Sequence, residues 1–145
     1  MREVFQASRF PKQLMSQHRG ASAPLVLVVE SDVQTREMYA EWLNYSGFRV
    51  AEATKADEAF EKAHTLRPSV ITTGIGLKDG GDGCALCDRL KHDAGTKEIP
   101  VLIVTAWALG GHVERAKKAG CDSVLLKPCP PATLLQEIKR LIKHS

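Results

Sequence analysis

No stretch of this chain is apolar for long enough to cross a membrane, and the first residues lack the apolar middle region of a secretory leader. A soluble, cytoplasmic protein that does not engage the membrane is therefore expected. Cysteine is scarce and irregular. Cys84, Cys87, Cys121 and Cys129 all fall in the second half with no repeated spacing, which argues against a disulfide framework or a zinc ribbon and for a reducing compartment. There is no internal repeat of fixed period, no G-x-G-x-x-G loop and no P-loop, so solenoids and the commonest nucleotide-phosphate cradles are excluded.

What is present is one domain's worth of sequence. With 145 residues, 43% apolar and 26% charged, the chain can bury a core without a metal or disulfides. The formal charge of +3 arises entirely within residues 1–24, where Arg2, Arg9, Lys12 and Arg19 outnumber Glu3. The remainder is neutral. That basic segment, rich in Ser, Gln, Gly and Pro, cannot bury enough surface to offset its ordering entropy. Residues 1–23 are expected to be a disordered basic tail and residues 24–145 the folded domain, with Met15 a second candidate start besides Met1.

From Pro24 onward, short β-branched runs alternate with helical patterns, as in repeated βα units. The strands are expected at Leu25–Val29, Arg49–Ala53, Ser69–Thr73, Val101–Val104 and Ser123–Leu126. Continuous apolarity in the first and fourth implies helices on both faces of the sheet. Met38, Tyr39, Trp42 and Leu43 recur at helical spacing, with Gly47 at the terminating position. The second helix opens on Thr54-Lys55-Ala56-Asp57, read as a Thr-x-x-Asp cap, buries Ala56, Ala59, Phe60 and Ala63, and stops before Pro68. A third runs from about Cys84 to His92. The fourth has only Val113 and Ala116 as its apolar stripe and is expected to be the most mobile. Pro131 opens the fifth, with Leu134, Ile138, Leu141 and Ile142 facing the core. The fold class is a three-layer α/β/α sandwich around a five-stranded parallel sheet.

Four local signals fall at four strand ends: Val28-Val29-Glu30-Ser31-Asp32, Ile75-Gly76-Leu77, Val104-Thr105-Ala106 and Leu126-Lys127-Pro128. Together with the element pattern they make residues 24–144 resemble a response-regulator receiver domain of the CheY-like family. That resemblance implies the flavodoxin-like strand order 2-1-3-4-5, for which a family member is the standard example. It also implies phosphorelay signal transduction in a two-component pathway. In the family an aspartate ending strand three accepts a phosphoryl group, two acidic residues after strand one help it hold Mg²⁺, a Thr or Ser ends strand four, and a Lys followed by a cis-linked Pro ends strand five.

Thr105 matches the hydroxyl and Lys127 the lysine. Glu30 and Ser31 stand at the acidic pair, of which only Glu30 ionises, and Gly74 falls on the phosphoacceptor. Sliding the alignment by one puts Thr73 or Ile75 there, and neither is a carboxylate. With one carboxylate against one lysine, Glu30 and Lys127 cancel and Mg²⁺ is expected to bind weakly at most, through Glu30 and Ser31. No other cofactor is expected. Asp32 is read as the cap of helix one. Val124 stands where an aromatic switch residue is common, and its stiff, small side chain cannot supply that switch.

A degenerate receiver, or pseudo-receiver, follows: not an enzyme, and acting by protein contact. The partner is expected to be a histidine kinase or an output protein, with a second copy of the chain as a further candidate and no direct contact with nucleic acid. By resemblance the docking face is helix four, strand five and helix five, with Trp107, Val113, Lys117, Val124 and Lys127. Cys129, beside the pocket mouth with Trp107, is another candidate for a partner surface. The alternatives are phosphoryl acceptance at Asp79 or Asp82 in the glycine-rich loop, and a redox sensor built on Cys84 and Cys87. The ordinary roles of those residues are turn or cap for the two acids and small apolar filler for the cysteines. His64, His92 and His112 are expected on solvated faces.

Overall fold

The computed structural model describes residues 23–106 and 111–143. The basic tail and Trp107 lie outside them. The elements follow in the order β1 (Leu25–Val29), α1 (Val33–Tyr45), β2 (Arg49–Ala53), α2 (Ala56–Leu66), β3 (Val70–Thr73), a 3₁₀ turn (Lys78–Gly80), α3 (Gly83–Lys91), β4 (Val101–Thr105), α4 (His112–Lys118), β5 (Ser123–Leu126) and α5 (Pro131–Lys143). All strand pairs are parallel, in the order β2-β1-β3-β4-β5.

Two apolar layers hold the sandwich. On one face Leu27, Ile71, Val101 and Ile103 pack with Ala59 and Ala63 of α2 and with Leu86, Cys87 and Leu90 of α3. On the other, Val26, Val28, Leu102 and Val104 meet Tyr39 and Leu43 of α1 and Leu134, Ile138 and Leu141 of α5. The alternation along β1 and β4 places successive side chains in opposite layers, which is why these strands read as unbroken apolar runs. Both strands are fully buried.

Carboxylates set the starts of α1 and α2. Asp32 caps α1, its Oδ2 accepting from the Thr35 N–H at 2.9 Å and the Thr35 hydroxyl at 2.6 Å. Those bonds, the hydroxyl first, hold its carboxyl below the ordinary value. The start of α2 differs from the Thr-x-x-Asp expectation. Lys55 is the N-cap and supplies no side-chain bond. Glu58 instead reaches back to the Thr54 N–H at 3.0 Å, which is the first cause of its lowered carboxyl pKa. A longer side chain one residue further along can reach an N–H that Asp57 leaves for Arg89, to which it is paired at 2.9 Å.

At the β2 edge, Arg49 and Ala53 direct their backbone groups toward β1 through the bonds Arg49 N–H to Pro24 O and Glu30 N–H to Ala53 O. The alternation turns the Glu52 carbonyl outward, and Lys62 of α2 donates its ammonium to it at 2.6 Å.

Gly83 is the tightest point. Its N–H donates to the Ile75 carbonyl at 2.7 Å, and a Cβ there would lie 1.8 Å from the Gly74 carbonyl oxygen. Only glycine lets the start of α3 press against the end of β3. Gly83→Ala is expected to lower the unfolding free energy by about 3 kcal/mol, the upper range for overpacking. A denaturant melt with an unchanged slope and a lower midpoint measures this.

A second expectation concerns acid. Asp32 and Glu58 have folded pKa values below their ordinary 3.8 and 4.5. The stability they add is complete above those ordinary values and is lost as the pH falls through the depressed ones. Unfolding midpoints measured in steps of pH should fall through that acidic range, and less steeply in Asp32→Asn, whose amide still caps.

Candidate functional site

The carboxyl ends of β1, β3, β4 and β5 converge on a cleft of about 300 Å³ lined by Glu30, Gly74, Ile75, Gly76, Val104, Thr105, Ala106, His112 and Lys127. In a parallel sheet this is where ligands and reactive groups gather, because the strand order reverses between β1 and β3.

Four residues singled out in the sequence meet here. Glu30 and Lys127 are joined at 3.1 Å between Oε1 and Nζ, with 8% and 30% of their side chains exposed. The second Glu30 oxygen accepts from the Asp32 N–H at 3.0 Å. Thr105 is buried at the end of β4, and the Lys127–Pro128 peptide is cis. Gly74 closes the set. It follows β3, with its N–H on the Val29 carbonyl at 3.1 Å. A Cβ built on it would meet only Glu30 Oε1 at 3.6 Å and Val104 O at 3.9 Å, ordinary contact distances.

The neighbours of Gly74 offer no substitute. Thr73 is 1% exposed and donates its hydroxyl to the Gly74 carbonyl at 2.9 Å. Ile75 packs against the apolar layer. The glycine-rich loop is a closed turn. Gly76 and Asp82 form an antiparallel bridge, and Leu77 N–H bonds the Gly81 carbonyl at 2.9 Å. Asp79 sits at the turn's apex with φ 59°, 72% exposed and paired with Lys55 at 3.2 Å. Asp82 is the N-cap of α3 and pairs through its other oxygen with Arg115. Both acids occupy the turn and cap roles that their sequence context suggests.

The donors present do not suit Mg²⁺. Both oxygens of Glu30 are engaged, and Ser31 donates its hydroxyl to the Gly76 carbonyl at 3.3 Å. Among the described residues no three His, Cys, Asp or Glu side chains converge as a metal site. A hard divalent cation takes several oxygen ligands, usually carboxylates among them, and here one carboxylate is already neutralised by an ammonium.

The thiols are not poised for redox chemistry. Cys84 and Cys87 are buried in α3, and burial pushes both up, Cys87 to about 12. Thiolate is the reactive species, and burial disfavours it at both positions. Cys129 is also buried, within the α1–α5 layer, which removes it from any partner surface.

The expected docking face divides. Val113, Lys117 and Val124 line a separate groove of about 310 Å³ between α4 and β5, together with Cys121, Asp122, Ser123 and Leu126. Lys127 belongs to the cleft instead, because the strand end turns it toward Glu30. Leu126, which the sequence marks only as the end of strand five, is 49% exposed and joins this groove. His112 was expected to be solvated, yet it is half-buried and lines the cleft. Its place at the first position of α4, just beyond the β4 loop, was the available signal. Arg36 also went unnoticed: its Nη1 donates to the Glu30 carbonyl at 2.9 Å and its Nε to Glu52 at 3.0 Å, which steadies the backbone from which Glu30 projects.

The sequence and the fold both have known relatives. The family model described as response regulator receiver domain matches residues 26–139. The chain is 29% identical over 114 residues to the polar-differentiation response regulator DivK of Brucella anthropi, covering 79% of this chain and 92% of that one. It is 31% identical over 119 residues to the phosphate regulon transcriptional regulatory protein PhoB of Escherichia coli, covering 82% of this chain but 52% of PhoB, so it spans about half of that relative. The crystal structure of a putative response regulator from Chloroflexus aurantiacus superposes with a TM-score of 0.79 at 27% identity, covering 84% of this chain and 99% of that one. With a matching family model across residues 26–139 and the strand order β2-β1-β3-β4-β5, the chain belongs to the response regulator receiver domain family.

Proposed function

We propose that this receiver domain signals by protein contact without accepting a phosphoryl group. One observation carries this: the end of β3 presents Gly74, and the lysine that would face an acceptor carboxylate is bound to Glu30 at 3.1 Å. Phosphoryl transfer to a receiver needs a carboxylate nucleophile, a divalent cation and a lysine to offset the charge that develops. The nucleophile is missing, the cation site is reduced to one neutralised carboxylate, and the remaining donors, Thr105 and Lys127, have nothing to act upon. The domain is accordingly not an enzyme, and any Mg²⁺ binding through Glu30 and Ser31 is weak.

The contact surface is the groove between α4 and β5. Val113, Val124 and half-exposed Leu126 supply apolar area, and Lys117 supplies charge at the rim. A histidine kinase or an output protein of a two-component pathway is the expected occupant, and a second copy of the chain would be the simplest alternative. Phosphoryl acceptance at Asp79 or Asp82 is disfavoured by the pairing of both carboxylates with Lys55 and Arg115.

The direct test is incubation with acetyl phosphate and Mg²⁺, read by intact mass. The wild type should gain no phosphoryl adduct. A single adduct lost in Asp79→Asn or Asp82→Asn would overturn the proposal. Because Gly74 has room for a Cβ, Gly74→Asp should fold and bind Mg²⁺ about tenfold or more tightly than the wild type, the equivalent of roughly 1.4 kcal/mol. Titration calorimetry measures that difference.

A second expectation addresses the groove. Leu126→Asp together with Lys117→Glu should weaken binding to the cognate kinase or output protein at least about tenfold, with the far-ultraviolet spectrum and melting curve of the fold kept. Equal binding by the double variant in surface plasmon resonance would place the contact elsewhere.

A further inference from the structure

The groove beside β5 depends on α4, and α4 has little of its own to hold it. Its seven residues, His112–Lys118, are too few for an isolated helix to persist in water. Gly111 at its N-cap supplies no side-chain acceptor, and Ala116 is its one buried residue. A methyl group removes far less apolar surface from water than the leucines and isoleucine that anchor α3 and α5.

What α4 does possess is Arg115, whose Nη2 donates to Asp82 Oδ2. Asp82 is at the same time the N-cap of α3. Its Oδ1 accepts from the Cys84 N–H at 2.7 Å and from the Ala85 N–H at 3.4 Å. One carboxylate therefore serves two helices, with one oxygen for each. Burial alone would push its pKa up, and the Arg115 guanidinium with the α3 N–H groups outweighs that and holds it below the ordinary 3.8. The bridge between Gly76 and Asp82 ties the same residue to the chain leaving β3.

We propose that the Asp82–Arg115 pair is a latch that holds α4 against the start of α3 and so sets the shape of the α4–β5 groove, an inference that rests on the docking role just given to that groove. Val113 and Lys117 flank Arg115 in sequence and line the groove, so α4 cannot shift without changing it. The latch joins the loop after Gly74 to the docking face by an ion pair. Arg115 and Asp82 are thus positioning residues for a partner they do not touch.

Amide hydrogen exchange on the full chain tests this without a partner or a phosphodonor. Asn caps helices as well as Asp, so Asp82→Asn removes the ion pair and keeps the start of α3. In Asp82→Asn and in Arg115→Gln the α4 amides should exchange about three- to fivefold faster, the range for a half-exposed ion pair, while α3 amides keep their protection. The double variant should add nothing beyond either single change. Arg115→Lys, which keeps the charge, should recover part of the protection. Unchanged α4 exchange in Arg115→Gln, additive effects in the double variant, or acceleration spread over the whole domain would each overturn the latch. Such a failure would leave the acetyl phosphate result untouched, so the latch and the phosphoryl-independent function are tested separately.

Discussion

Glu30 leaves the carboxyl end of β1 with 8% of its side chain exposed, and an ionised carboxylate in such a place is tolerable only with a positive partner and donors on both oxygens. It has them. Lys127 comes from the end of β5, across the intervening strands β3 and β4, and the Asp32 N–H comes from the start of α1. The pair therefore spans four of the five strands, and the positions of β1, β3, β4 and β5 relative to one another are all implicated in a single contact at 3.1 Å. Arg36 reinforces it from below by holding the Glu30 carbonyl.

That contact also decides the electrostatic character of the cleft. A receiver with three carboxylates around one lysine has a net negative pocket that a divalent cation completes. Here the single carboxylate and the lysine satisfy one another, and a neutral cleft has no reason to recruit a cation. The lysine at the end of β5 is therefore not left unpaired. The remaining groups form a closed structural contact.

The fold was largely legible because the strands carry their own signal. Leu25–Val29, Arg49–Ala53 and Ser123–Leu126 run where β-branched periodicity puts them, and β3 and β4 differ by one residue at an end. Gly74, Thr105 and Lys127 could be placed for the same reason, since each sits at the end of a recognisable strand. What could not be read are contacts between residues distant in sequence. Arg115 and Asp82 are thirty-three positions apart, and their meeting depends on how α4 lies over α3. The same holds for Arg36 and Glu52, and for His112, which lines the cleft beside residues at the ends of β1, β3 and β5 that are far from it in sequence. Cys129 was misjudged for a related reason: it follows the cis-proline, where the chain passes beneath Tyr39, whose hydroxyl donates to its carbonyl at 3.2 Å.

The ammonium of Lys62 on the outward carbonyl of Glu52 bears on a hazard common to all open sheets. An edge strand offers unpaired backbone groups to any extended chain that drifts past, and such templating leads to aggregation. To lengthen the sheet at β2, an incoming strand would first have to displace a lysine and bring its own backbone against that charge. The charged side chain thus acts as a guard at that margin against the indiscriminate joining of strand upon strand.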